Sequence, residues 1–151
     1  MATIIYNFNV VYTALIAGLN IMYCITLGSY FTFIAKKGLL DGFTQYYSVF
    51  RIQSNVVRNF YIFFFGQTIV AAVSLFLNFS HNLTGQIMAL TSIVLVFILH
   101  SLTGFGKCES ALNSGNNTGY KIVNCYVRYK VPLHILYSIW YLIASLLMIF
   151  K

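Results

Sequence analysis

Two histidines, His100 and His134, are the side chains of this sequence best suited to bind a haem or a metal ion. Each lies near the end of a long apolar segment, and facing membrane helices can present two imidazoles to one ligand. Asp41 and Glu109 are the only carboxylates, which excludes paired-acid glycosidase chemistry and di-iron chemistry. We expect each histidine to form hydrogen bonds near the membrane interface, and we predict no metal and no cofactor.

Basic and amide side chains between residues 50 and 60 form a second candidate site, suited to an anionic group. Arg51, Gln53 and Asn55 alternate there, and further along the chain Lys121 and Arg128 are spaced to share one face of a helix. If the two segments fold over the same end of the protein, these five residues form a surface for a lipid headgroup or an anionic ligand.

The elements that position these residues must be membrane helices. Hydrophobic residues make up 60% of the 151 residues and charged residues only 7%, far below the charged fraction of a soluble domain. Four apolar segments are each long enough to cross the hydrocarbon core of a bilayer. The sequence therefore predicts a single four-span domain over the whole chain. The predicted spans are residues 10–34, 57–77, 86–105 and 131–150.

The residues before the second span predict a long helix. Phe43, Tyr46, Tyr47 and Phe50 recur at helical spacing, and no Gly or Pro interrupts the chain before Gly66. Residues 43–77 are therefore predicted to form one continuous rod. The sequence as a whole predicts an all-α integral membrane four-helix bundle with a long second helix and an aromatic and basic cytoplasmic cap.

Basic residues concentrate in the loops 35–56 and 106–130. The positive-inside rule places these loops in the cytoplasm or an equivalent compartment, and both termini on the opposite side of the membrane. Reduced thiols are therefore expected at Cys108 and Cys125, since a disulfide implies an oxidising compartment. The glycosylation-like triplets that begin at Asn78, Asn82 and Asn116 are expected to be chance matches.

The net charge of +7 does not indicate a nucleic-acid-binding protein. The basic residues are scattered beside membrane spans and form no clustered basic face of the kind that binds phosphate backbones. Membrane lipids are the expected partners, together with other membrane proteins or further copies of this chain. Arg58, just inside the second span, is expected to be an interfacial anchor whose head reaches water.

Four short motifs occur in order along the chain: Gly28 with Phe31-Thr32-Phe33, Asn59-Phe60-Tyr61 with Gly66, Ala111-Leu112-Asn113, and Tyr129 with His134. Their order and spacing resemble the anthrone-oxygenase-like family of small four-helix membrane proteins. The resemblance implies cofactor-free oxygenation of an aromatic, polyketide-like substrate, with His134 and Asn113 as the candidate catalytic residues.

The motif Arg51-x-Gln53-x-Asn55 is similar to the start of the second helix in membrane glutathione transferases of the leukotriene-synthase type. That resemblance implies that Arg51, Gln53 and Asn55 help to bind glutathione.

Few side chains of this sequence can carry out catalysis, which favours a structural or accessory subunit that packs with other membrane proteins or lipids. The alternative is a membrane enzyme that acts on a lipophilic substrate, by oxygenase-like or glutathione-transferase-like chemistry.

Overall fold

The computed structural model describes residues 1–114 and 120–150, without the side chains of residues 40–45, 48 and 113. All regular secondary structure in these ranges is helical. The helices in chain order are α1 (Ala2–Tyr23), a π-helical turn (Cys24–Gly28), α2 (Ser29–Lys36), α3 (Leu40–Gln53), α4 (Val56–Leu77), α5 (Leu83–Leu102), α6 (Phe105–Ser114) and α7 (Tyr120–Ile149).

Four helical segments are long and apolar enough to cross a membrane, which confirms the predicted number of spans. The first runs without interruption through α1, the π-helical turn and α2, from Ala2 to Lys36. The second and third are α4 and α5. The fourth is α7, whose 30 residues correspond to about 45 Å of helix. Helix α7 continues through Pro132, so the segment with Lys121 and Arg128 and the last span form one helix.

The predicted continuous rod over residues 43–77 is wrong. Helix α3 ends at Gln53 and α4 begins at Val56, because Asn55 adopts a left-handed backbone conformation with a φ of 50°. Asparagine tolerates this conformation better than most residues, and a left-handed residue after the last turn is a common way to end a helix. Because of this break, Arg51 belongs to α3 and not to the membrane helix α4 that follows.

The long helices pack in a ring, in which α1 contacts α4 and α7, and α5 contacts the same two helices. Residues 78–82 connect α4 to α5 at one end of the ring, which we call the turn end. Here Asn78 donates a hydrogen bond to the Ala2 carbonyl and Asn82 donates one to the Met148 carbonyl. Helices α3 and α6 meet the first turns of α7 at the other end, which we call the charged end.

Neutral polar side chains are buried between the helices toward the turn end. Ser74 donates to the Gln86 carbonyl oxygen at 2.8 Å, and the Gln86 amide donates to the backbone carbonyls of Asn78 and His81. Gln67 donates to Thr13 and to the Ala89 carbonyl. Such pairs satisfy side chains that lipid cannot solvate and hold membrane helices together.

Close backbone contact also marks the turn end. A Cβ added at Gly85 of α5 would lie 2.8 Å from the backbone nitrogen of Met148 and 3.0 Å from the Ala144 carbonyl oxygen. Only glycine allows α5 and α7 to approach this closely, so the two helices pack backbone against backbone there.

A disulfide joins Cys108 of α6 to Cys125 of α7 at the charged end, with 6.4 Å between the Cα atoms. The expectation of reduced thiols is therefore wrong for this structure. The packing of α6 against α7 brings together two cysteines that are 17 residues apart in the chain. Their immediate neighbours, Glu109 and Tyr126, are both members of the candidate site.

Candidate functional site

An ion-pair cluster lies at the charged end, built by α3, α6 and α7. Oxygen Oε1 of Glu109 accepts hydrogen bonds from both terminal nitrogens of Arg51, each at 3.3 Å, and from Nζ of Lys130 at 3.1 Å. Arg51 and Lys130 are each only 6% exposed. Buried charges of this kind are costly unless they are paired, so the three side chains depend on one another.

Aromatic rings surround the Lys130 ammonium. Its Nζ atom lies 5.1 Å from the ring centroid of Tyr23, 5.2 Å from that of Phe105 and 5.0 Å from that of Tyr126. Each distance is within the range of a cation–π contact. The rings offset part of the cost of burying the ammonium and fix its position beside Glu109.

Two tyrosine hydroxyls extend the cluster. The hydroxyls of Tyr47 and Tyr126 are 2.8 Å apart, and Nη1 of Arg51 donates to Tyr126 at 3.1 Å. Tyr47 lies one helical turn before Arg51 on α3, so its ring also contacts the guanidinium. Burial raises the pKa of Tyr47, so this hydroxyl keeps its proton.

The Glu109 carboxyl is ionised at neutral pH. Burial alone raises the pKa of this carboxyl, but the positive charges of Lys130 and Arg51 outweigh the burial and lower the pKa to about 2. The cluster thus contains two cations and one carboxylate, which leaves a net charge of +1 when the nearby histidines are counted as neutral.

His100 and His134 both line the same cavity, beside the cluster. Nδ1 of His134 is 2.8 Å from the Lys130 carbonyl oxygen, which can only accept, so Nδ1 carries a proton and Nε2 is an acceptor in the neutral ring. The His134 ring stacks on Tyr23 with centroids 4.4 Å apart. Nδ1 of His100 lies 3.9 Å from Oε2 of Glu109. Within the described residues, no group of three or more His, Cys, Asp or Glu is placed to hold a metal ion.

The cluster forms the polar end of a cavity of about 180 Å³. The residues that line this end are Tyr23, Tyr47, Arg51, His100, Glu109, Lys130, His134 and Tyr137. The remaining walls are mostly apolar and come from these residues: Asn20, Leu27, Phe50, Val56, Val57, Phe60, Tyr61, Phe64, Ile93, Val96 and Phe97. The cavity is therefore amphipathic.

The apolar part of the cavity lies between α4 and α5 near the charged end, where these two helices have the fewest buried residues. Buried residues of α4 are confined to Gln67, Ala71 and Ser74, and those of α5 end at Ser92. Phe60 is 44% exposed and Phe97 is 50% exposed, although both line the cavity. The side of the cavity between α4 and α5 therefore faces the apolar outer surface of the protein, where a membrane protein contacts lipid.

The predicted basic surface divides in the structure. Arg51 is buried at the cavity, whereas Gln53, Asn55, Lys121 and Arg128 are exposed and do not line it. The structure brings Arg51 together with Glu109 and Lys130. Of the two predicted catalytic candidates, His134 lies in the cavity, and the side chain of Asn113 lies outside the described residues.

Lys130 and Glu109 are the members of the candidate site that sequence reasoning missed, although the sequence contains a signal for Lys130. Lys130 follows Tyr126 by four residues and precedes His134 by four, so all three share one face of a helix. That face is buried in α7. A lysine on the same face as a histidine and a tyrosine was a better candidate than Lys121, which points outward.

Two of the three glycosylation-like asparagines are part of the turn end. The amide of Asn78 donates to the carbonyls of Ala2 and Ser74, and that of Asn82 donates to the Met148 carbonyl and the Tyr6 hydroxyl. Both side chains thus have structural partners, and the expectation that the acceptor motifs are chance matches stays a prediction. Asn116 lies outside the described residues.

No family model, curated protein or solved structure matches this chain. The resemblances to the anthrone-oxygenase-like family and to membrane glutathione transferases therefore stay predictions.

Proposed function

We propose that this four-span membrane protein binds a lipophilic molecule with a polar head in the cavity at its charged end. One observation carries the proposal: the cavity joins a buried cluster of Arg51, Lys130 and Glu109 to apolar walls that face the bilayer. Pockets for small molecules combine mainly apolar walls with a few convergent polar groups, and this cavity has that form.

A cavity-filling substitution tests the proposal. Val96 lines the cavity, whereas Val94 of the same helix is 51% exposed and does not line it. Val96→Trp should fill the apolar part and abolish binding of a lipophilic fluorescent probe such as dansylaminoundecanoic acid. Val94→Trp, the matched control, should bind the probe as the unaltered protein does. Equal binding by both variants would contradict the proposal.

A second candidate function is catalysis on the bound molecule. His134 lines the cavity with its Nδ1 bonded to the Lys130 carbonyl, which makes Nε2 the basic nitrogen of the neutral ring, and the hydroxyl of Tyr137 has no hydrogen-bond partner among the described residues. A neutral imidazole is a common general base. Conversion of an aromatic, polyketide-like substrate that is lost in His134→Gln, while probe binding is kept, would support an enzyme over a binding protein.

The accessory role predicted from the sequence is a third candidate function. It depends on the outer surface of the spans and not on the cavity. Large apolar side chains are exposed along the spans, as they must be in any protein that contacts lipid. Co-purification in mild detergent separates the readings. Stoichiometric recovery with larger membrane proteins would favour the accessory subunit, and a protein recovered alone would favour the cavity.

The side of the membrane on which the charged end lies is also a proposal. The basic residues of loops 35–56 and 106–130 favour the cytoplasm, whereas a persistent disulfide favours an oxidising compartment. The two features predict opposite sides. A membrane-impermeant thiol reagent, applied to intact cells after mild reduction, should label Cys108 and Cys125 only if the charged end is outside.

A further inference from the structure

The anion-binding atoms of the cavity are already occupied by a carboxylate of the chain itself. A single oxygen, Oε1 of Glu109, accepts hydrogen bonds from Arg51 and from Lys130. Arg51 and Lys130 come from α3 and from the long span α7, whereas Glu109 comes from the ten-residue helix α6. Glu109 is also the most accessible of the three, at 20% exposed against 6% and 8% for the side chains of its partners.

The cluster carries more positive than negative charge. Two cations face one carboxylate, and an unbalanced positive charge in an apolar surrounding attracts a negative group. The Nε atom of Arg51 and the hydroxyl of Tyr137 are buried and have no hydrogen-bond partner among the described residues. Both residues line the cavity, so these unpaired donors lie in its wall.

The charge and the shape of the cavity together specify a class of molecule. A carboxylate is the group that the two cations already bind, and the walls beyond the cluster are the apolar side chains of Phe60, Phe64 and Val96. A molecule that satisfies both ends has one negative charge and a long apolar tail. A neutral lipid in the place of Glu109 would leave Arg51 and Lys130 without a negative partner, which is costly for buried charges.

We propose that Glu109 occupies the place of the ligand's own anionic head, and that the ligand is a long-chain carboxylate whose head displaces Glu109 from Arg51 and Lys130. This inference rests on the proposed function and specifies its ligand. The tail of the ligand lies along the apolar walls between α4 and α5, and the head enters the cluster as the carboxylate of Glu109 leaves it.

The test compares oleate with oleyl alcohol, which has the same chain without the charge, on the full chain in nanodiscs. The unaltered protein should bind oleate in preference to the alcohol. Glu109→Gln removes the internal competitor, so the Kd for oleate should fall about tenfold, a change that corresponds to about 1.4 kcal/mol. The Kd for the alcohol should stay the same.

The outcomes separate the inference from the proposed function. Oleate binding that Glu109→Gln leaves unchanged or weakens overturns the displacement of Glu109, while the cavity remains a binding site. Tighter binding of an oleyl phosphate than of oleate overturns the carboxylate as the preferred head. Failure of the unaltered protein to bind any of these molecules overturns the proposed function and the inference with it.

A measurement on the unaltered protein covers the case in which Glu109→Gln does not fold. Release of Glu109 removes the side-chain bonds that connect α6 to α3 and to Lys130. Hydrogen–deuterium exchange of residues 105–114 should therefore become faster with oleate and not with oleyl alcohol. Exchange that is unchanged when oleate is bound would overturn the inference.

Discussion

The turn end and the charged end of this protein bury polar groups in two different ways. At the turn end, amides and hydroxyls such as Gln86 and Ser74 pair with one another and with backbone carbonyls, and the helices touch at Gly85. At the charged end, buried Arg51 and Lys130 pair with the partly buried Glu109 beside an open cavity. Neutral groups need only hydrogen bonds, so they permit close packing.

Buried charges need more than hydrogen bonds, since each loses the solvation of water. The charged end supplies an opposite charge, three aromatic rings around Lys130 and the Cys108–Cys125 disulfide beside Glu109. The difference teaches that the turn end is built for stability. The charged end retains space and unused donors, which stability alone does not require.

Breaking the cluster should have the largest effect. Lys130→Ala removes one of the two cations that Glu109 requires and leaves a gap among three rings, so the free energy of unfolding should fall by about 4 kcal/mol. Lys121→Ala, on the exposed face of the same helix, is the matched control and should change it by less than about 0.5 kcal/mol. Thermal unfolding in one detergent measures both, and equal effects would contradict the mutual dependence of the cluster.

Loss of the disulfide should have the next largest effect. Replacing both Cys108 and Cys125 by alanine removes a cross-link across 17 residues and should destabilise the protein by about 3 kcal/mol. Cys24, which is not in a disulfide, provides the control: Cys24→Ala should not reproduce the loss. The same thermal unfolding assay, run with and without reductant, should show reductant sensitivity in the unaltered protein and none in the double variant.

A smaller effect is expected from crowding the turn end. In Gly85→Ala the new methyl group meets backbone atoms of α7, and we expect a loss of about 2 kcal/mol from overpacking. The same change at Gly18 has no atom within 4 Å of the new Cβ and should be neutral or slightly stabilising. If Gly85→Ala leaves the free energy of unfolding unchanged, the turn end is not packed more tightly than the charged end.

Acid should weaken the ion pairs of the charged end. The pKa of Glu109 is lowered from 4.5 to about 2 in the folded protein, so its ion pairs contribute fully above about pH 4.5. This contribution is lost as the pH falls toward 2. Arg51 from α3, His100 from α5, and Lys130 and His134 from α7 face this carboxyl. The midpoint temperature of unfolding should therefore fall faster between pH 4.5 and 2 in the unaltered protein than in Glu109→Gln.

Much of the fold could be predicted from the sequence. Long uncharged segments must form membrane helices, because lipid cannot satisfy exposed backbone groups. The break at Asn55 could not be predicted with the same ease, since the aromatic periodicity of α3 continues up to it. A single left-handed residue overrides a helical pattern, and asparagine adopts this conformation only in some contexts.

Less of the candidate site could be predicted. Arg51 and His134 were identified because a charged or ionisable residue stands out beside apolar segments. Lys130 was missed although it shares a helical face with Tyr126 and His134, and Glu109 was missed because it looks like an ordinary loop residue in the sequence. Their burial depends on how α6 folds against α7, and contacts between residues distant in the chain leave no local pattern.

The sequence by itself determined the membrane location, the helical class and the number of spans, because these follow from hydropathy and the need to satisfy backbone hydrogen bonds. Only the tertiary structure decided which polar residues face inward and which charges meet. Arg51, Glu109 and Lys130 are separated by 58 and 21 residues along the chain, and one carboxylate oxygen joins them. The physical reason is that pairing of buried charges is set by the packing of whole helices, and not by the residues next to them in the chain.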